Sequence, residues 1–265
     1  MTMNWIETDG VGLRYELTGS GAGTLVLIHE MGGTLEGWDL VLPLLQGSRA
    51  VLRYDTRGAG LSTKLRGTAS LDAMADDVVA LLDALGRNDW VTVAGGAVGG
   101  AIALHVAGRH PGRVRAVAAL GPATGIPEER RPAIHAHADR VEREGMIGVA
   151  DDELARSYPQ SLRSDAARYR RFRARWLAND PGSYAAIYRM LSGLDMAAEI
   201  AALRLPTLFL AGTQDPLRPP ALIEPLSRTV AGSRFEAIET GHFMATQTPE
   251  RVAASLNGFL AATGG

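Results

Sequence analysis

Asp215 and His242 have the residue types, and the chain order, that acid–base chemistry at a carbonyl group uses. Asp215 lies in Gly212-Thr-Gln-Asp-Pro216 and His242 in Thr240-Gly-His-Phe243. An aspartate bonded to one imidazole nitrogen fixes the ring tautomer and stabilises its protonated form, leaving the other nitrogen as general base. The usual third member is a nucleophile at the apex of a sharp strand–turn–helix, read from the pattern G-x-S-x-G. The glycines of such a turn are present in Val93-Ala-Gly-Gly-Ala-Val-Gly-Gly100, between the apolar run 90–93 and a second at 101–107 with helical spacing. The apex, however, is Ala97, which carries no nucleophile. Acyl-enzyme chemistry through position 97 is therefore excluded. What remains is a water activated by His242, or a substrate proton abstracted by it. The backbone N–H groups of Val98 and Met31 would serve as the oxyanion donors.

The elements that must position these groups come in chain order. Trp5 to Thr8 and Val11 to Leu17 alternate around Asp9-Gly10, a hairpin signal. The wholly apolar run at 25–28 reads as a strand buried on both faces, 50–54 as a strand, and 114–120 as another buried strand. Trp38 to Leu45 and Leu71 to Leu85 read as helices, the second closed by Gly86. From about 126 to 202 no strand pattern occurs; the spacing predicts helices at 132–145, 165–177 and 183–191. Strands return at 207–211 and 234–238, and a helix over 249–262 closes the chain. This alternation predicts an α/β protein with a mostly parallel, doubly wound sheet. Ligands in such sheets sit beyond the carboxyl ends of the strands, where loop 29–33, the glycine turn, Asp215 and His242 all fall. Singly, an Asp in a Gly/Pro loop is a turn residue and a Gly-His is surface; it is their joint placement that marks a site.

A net charge of −2 gives no reason to expect nucleic acid or an anionic membrane as partner. With no cysteine, disulfides and thiolate metal sites are excluded. The start of the chain lacks the basic and apolar regions of a signal peptide, and no apolar run could span a bilayer, so a cytoplasmic protein is the default. His135 and His137, two apart on a helix, point to different faces and do not form a metal pair. The arginines 168, 170, 171, 173 and 175 surround their helix and read as a solvated surface, one of them being available for a substrate carboxylate. Asp55 and Arg57 are expected to brace a loop, and His105 and His110 to be structural.

The chain resembles the α/β-hydrolase superfamily over essentially its whole length, and within it the small hydrolases similar to 3-oxoadipate enol-lactonases. The residues that carry the resemblance are Leu27-Ile-His-Glu-Met-Gly-Gly33 with Trp38, Arg53-Tyr-Asp-Thr-Arg-Gly-Ala-Gly-Leu-Ser62, the glycine turn, Leu210-Ala-Gly-Thr-Gln-Asp215 and Gly241-His242. It implies an α/β-hydrolase core over 1–124 and 203–265 with a helical cap at 125–202. It also implies hydrolysis of a small ester, lactone or related carbonyl compound without a cofactor, in a monomer or homodimer. Two positions depart from the pattern: Ala97 stands where the family has serine, and Glu30 where it commonly has glycine. A deliberate Ser→Ala replacement and a natural serine-free member both fit, and Glu30, expected close to Ala97, favours the second and is a possible acid or base. Trp176, Tyr184, Tyr188, Met190 and Met196 are candidates to line a pocket, against the plainer role of cap core. Two further readings stay open on the same fold: a non-catalytic ligand-binding protein, and a cofactor-free lyase or dioxygenase.

Overall fold

Eight strands form one sheet in a computed structural model that describes residues 4–21 and 23–264. Their order is β1(Asn4–Thr8), β2(Val11–Thr18), β4(Ala50–Tyr54), β3(Thr24–Ile28), β5(Val91–Gly96), β6(Val114–Leu120), β7(Thr207–Gly212) and β8(Arg234–Ile238). β1 and β2 join through Asp9 and Gly10, both at positive φ (51° and 77°), as a two-residue hairpin requires. β2 also runs antiparallel to β4, and every later pairing is parallel. The chain thus has the mostly parallel, doubly wound sheet of an α/β-hydrolase.

The apolar strands sort their side chains by the period of two. Val26 and Ile28 pack with α1(Leu71–Ala84) and α2(Val98–Arg109) on one face. Leu25 and Leu27 pack with α9(Pro249–Ala262) on the other. Strand burial on both faces explains why these runs contain almost no polar residue.

Between β6 and β7 the described residues form helices: α3(Arg131–Ser157), α4(Ala166–Leu177), α5(Pro181–Ser192) and α6(Ala197–Ala202). Asp165 and Asp180 cap α4 and α5 by accepting from the amides of Arg168 and Ser183, each at 2.8 Å. Gly145 does interrupt the helical dihedrals (φ 69°, ψ 177°), but the chain resumes a helix at once and continues to Ser157. Two helices after β7, α7(Pro220–Ser227) and α8(Met244–Gln247), complete the set, and the prolines at 219, 220 and 225 hide the first from a periodicity reading.

The helix expected from Trp38 to Leu45 is instead two 3-10 turns, Leu35–Trp38 and Leu42–Leu44. Pro43 cannot donate within a continuous helix. The first turn is also held by side chains: Leu35 N–H donates to Asp55 Oδ1 at 2.8 Å, and Arg53 donates to Leu35 O and to Asp39.

Candidate active site

The turn between β5 and α2 is fixed by close approach of backbone to backbone. A Cβ at Gly99 would lie 2.4 Å from Ile28 O and 2.5 Å from His29 O, and one at Gly95 would lie 2.1 Å from Gly99 O. Only glycine lets α2 begin so near the sheet. Ala97, at the apex, has φ 47° and ψ −108°. Asp9 in the hairpin is the one other described non-glycine residue at positive φ. Ala97 N–H donates to Leu120 O at 2.8 Å, and Ala97 O accepts from Ala101 and Ala123, so the surroundings impose this conformation.

Loop 29–33 is pinned by His29, buried at the end of β3. Thr56 N–H donates to His29 Nε2 at 3.0 Å, which makes Nδ1 the protonated nitrogen, and Nδ1 lies 2.7 Å from Glu30 O. Gly33 N–H donates to the same carbonyl at 2.9 Å. The amides of Met31, in this loop, and Val98, first in α2, find no protein acceptor among the described residues. Met31, Ala97 and Val98 line one cavity of about 280 Å³ together with His242. His242 Nδ1 lies 2.9 Å from Asp215 Oδ2, and Asp215 Oδ1 accepts from the amides of Leu217 and Arg218 at 2.8 and 3.1 Å. Burial alone would raise the Asp215 carboxyl, yet His242 and those two amides outweigh it and leave the pKa below its ordinary value. A carboxylate held in this way keeps the imidazole in one tautomer with Nε2 free to accept a proton.

Other expected residues sort differently. Tyr184 and Tyr188 line the cavity. Trp176 does not: it is buried in an aromatic cluster, edge-on to Tyr184, with its indole against Gly32. Met190 and Met196 pack into the core beside α2 rather than into the cavity, because they lie on the sheet-facing side of their segments. Glu30 is buried, but its carboxylate lies against Gly33 and Gly96, where glycine leaves room, and it is not among the cavity residues. The arginines of α4 also stay out of the cavity; Arg168 donates to Gln247 O, and Arg173 pairs with Asp151. Asp55 braces its loop through the amides of Leu35 and Leu61, and Arg57 pairs with Asp77. His105 and His110 pair with acidic groups of neighbouring elements.

The sequence reading missed the charged residues of the cavity wall. Arg130, Arg156 and Arg218 line it, as do His137 and Glu153. Glu153 Oε1 accepts from Tyr188 OH at 2.6 Å and lies 2.5 Å from His137 Nε2, with Arg156 at 3.7 Å. Burial opposes the Glu153 charge, but His137 and Tyr188 outweigh it and depress its pKa. The signal that could have found Arg218 is its place on the acid's own loop, a few residues past Asp215. Among the described residues no cluster of His, Cys, Asp or Glu could hold a metal, and no helix is long and apolar enough to cross a membrane.

A family model described as serine aminopeptidase S33 matches residues 20–242. The 3-oxoadipate enol-lactonase 2 of Acinetobacter baylyi is 27% identical over 247 residues, which are 92% of this chain and 91% of that protein. The 2-hydroxymuconate semialdehyde hydrolase of a Pseudomonas species is 29% identical over 271 residues, covering 96% and 93%. A thermophilic esterase from Thermogutta terrifontis superposes with a TM-score of 0.91 at 27% identity over 99% of both chains.

Proposed function

Since this chain belongs to the serine aminopeptidase S33 family and is an α/β-fold hydrolase, we propose that the cavity over Ala97 is its active site. The substrate is a small ester, lactone or related carbonyl compound, the range spanned by the similar enol-lactonase and esterase. The observation that carries this reading is the backbone of Ala97. An alanine at φ 47° costs about 1–3 kcal/mol relative to a relaxed conformation, and its backbone bonds to Leu120, Ala101 and Ala123 hold it there. The conformation aims the apex side chain into the cavity beside the amides of Val98 and Met31, opposite an imidazole already oriented by Asp215. Helices 131–202 form the cap that closes over it.

In the chain as it stands, water takes the place of a nucleophilic side chain. His242 Nε2 accepts a proton from the water as its oxygen bonds to the substrate carbonyl carbon. The oxygen of that carbonyl becomes an oxyanion, and the Met31 and Val98 amides hold it. When the carbonyl re-forms, the C–O bond to the leaving group breaks and His242 returns the proton to the departing oxygen. Asp215 keeps its charge throughout and stabilises the imidazolium. With serine at 97 the same parts would run through an acyl-enzyme instead. Glu30 has no part in either route, since its carboxylate faces the glycines rather than the cavity.

The test is a paired assay of the chain and its Ala97→Ser form on a small activated ester and an enol-lactone, with His242→Ala in each as control. Activity in the alanine form that His242→Ala abolishes supports the water route. Turnover in the serine form alone, at about 1 s⁻¹ or faster, would show an elbow built for serine and overturn that route. The missing side chain at 97 also favours a second reading, a ligand-binding protein on the same fold. In that case neither form turns over, and His242→Ala changes affinity alone.

A further inference from the structure

Among the described residues Glu153 is the one carboxylate that lines the cavity, and its two oxygens are used unequally. Tyr188 OH donates to Oε1 at 2.6 Å, and His137 Nε2 and Arg156 Nη2 face that same oxygen at 2.5 and 3.7 Å. Oε2 accepts from no described residue. The side chain is 7% exposed and lines the cavity, so the cavity is the open space that Oε2 meets. Burial opposes the charge, yet His137 and Tyr188 hold the pKa below its ordinary value, so the group is ionised. A carboxylate taken out of water needs donors on both oxygens.

Packing holds the carboxylate in place. The Tyr188 ring meets His137 edge-on, with centroids 5.0 Å apart, and Tyr184 at 5.4 Å, so its hydroxyl cannot swing off Oε1. That hydroxyl spends its proton on Oε1, and Oε2 is left as an acceptor. The surrounding charge decides which donor suits it. Arg130, Arg156 and Arg218 line the same cavity and oppose a cation, while Glu153 itself opposes an anion at this point. A neutral O–H meets neither objection, and its bond to a carboxylate is of the stronger, charge-assisted kind.

We propose that Glu153 Oε2 is a specificity site for a hydroxyl group on the substrate, remote from the scissile carbonyl, so that hydroxylated esters or lactones are preferred over unsubstituted ones. Glu153 comes from α3 and His242 from the loop after β8, so different parts of the chain hold the hydroxyl and the carbonyl. Ile126, Ile134, Leu191 and Phe243 line the same cavity and suit the carbon chain between them. This inference rests on the cavity being the substrate site; it concerns binding, so it is tested without turnover.

The experiment is calorimetric titration of the chain with methyl ketones, which keep the carbonyl and cannot be hydrolysed. The probes are octan-2-one carrying a terminal hydroxyl, its methyl ether, and the same chain ending in an ammonium group. The alcohol should bind about 10- to 100-fold more tightly than the ether, the range of one hydrogen bond to a charged group. The ammonium probe should bind more weakly than the alcohol. Glu153→Gln can turn its amide nitrogen to the cavity and donate to alcohol and ether alike, so it should bring the two within about threefold. Tyr188→Phe leaves Oε2 in place and should keep the preference. The site is overturned if the ether binds as well as the alcohol, if the ammonium probe binds more tightly, or if no probe binds at millimolar concentration. A Glu153→Gln that is folded by circular dichroism and keeps the full preference would also overturn it. Should Glu153→Gln not fold, Tyr188→Phe decides, because loss of the preference there would assign the hydroxyl to the tyrosine instead. If Ala97→Ser hydrolyses unsubstituted esters through His242 but shows no hydroxyl preference, the site falls while the hydrolase reading stands. Selective binding of the alcohol without turnover in either form does the reverse.

Discussion

The floor and the wall of the cavity are built by different physics. The floor consists of Met31, Ala97, Val98 and His242, placed at the carboxyl ends of parallel strands by backbone hydrogen bonds and by glycines that admit close approach. The wall from 126 to 202 is a set of helices whose facing side chains meet through charge and aromatic contact, as Glu153, His137 and Tyr188 do. The difference teaches where sequence change should be tolerated. A floor position has one allowed backbone, whereas a wall position needs its partners to change with it.

That contrast is broken most directly at Gly99. Gly99→Val puts a Cβ about where Ile28 O and His29 O already stand, and carbonyls of the central sheet cannot retreat. The expected loss is about 3 kcal/mol or more, read as a fall in the urea midpoint with an unchanged slope. A loss below about 1 kcal/mol would mean that α2 can slide away from β3, and the floor would then be no more rigid than the wall.

On the wall, Glu153→Ala should cost about 2–3 kcal/mol, because it leaves the Tyr188 hydroxyl without its acceptor and removes the buried carboxylate that His137 and Arg156 face. Tyr188→Phe removes one neutral donor and should cost about 1 kcal/mol. Equal losses in the two variants would show that the tyrosine, not the carboxylate, organises the wall.

Ala97→Gly has the opposite sign. Glycine reaches φ 47° without the steric cost, so the variant should be more stable by about 1 kcal/mol, a mid-range strain of about 2 kcal/mol less about 0.5–1 kcal/mol for glycine's extra unfolded-state entropy. An unchanged or lowered midpoint in thermal unfolding would remove the argument that the apex is held in a costly conformation.

The same division explains what could be read in the sequence. β4, β6 and β8 have the bounds that their apolar or alternating runs predict, and so does α9, because a strand or helix that buries a regular face must repeat it. Asp215, His242 and the glycine turn were visible since their chemistry is carried by residue type and chain order. The charged residues of the wall were not visible. Glu153 and Arg156 of α3 meet Arg218 around a cavity from segments far apart in the chain, and nothing in either segment marks which of its charged residues turns inward. The five arginines of α4 drew attention by number, yet the arginines that line the cavity are Arg130, Arg156 and Arg218, none of them on α4. Trp38 to Leu45 failed for a related reason: the side chains of Asp55 and Arg53, distant in sequence, decide its local geometry.

His105 ties the two regions together and offers the smallest effect. It sits on α2, with Nδ1 2.7 Å from Glu199 Oε1 of α6 and Nε2 2.7 Å from Asp72 Oδ1 of α1. Glu199 raises its pKa, against burial, and Asp72 adds to the rise. Because the folded value lies above the unfolded value of 6.5, the stability from this contact is fully present below pH 6.5. It is lost as pH rises through the folded value. Asp72 is well exposed, so water screens much of the attraction, and the contribution should be a few tenths of a kcal/mol. His105→Gln should therefore lower the urea midpoint slightly at about pH 5.5 and leave it unchanged at about pH 9. A cost equal at both pH values would mean that His105 joins floor to wall by packing alone, and the charge-built character of the wall would end at α6.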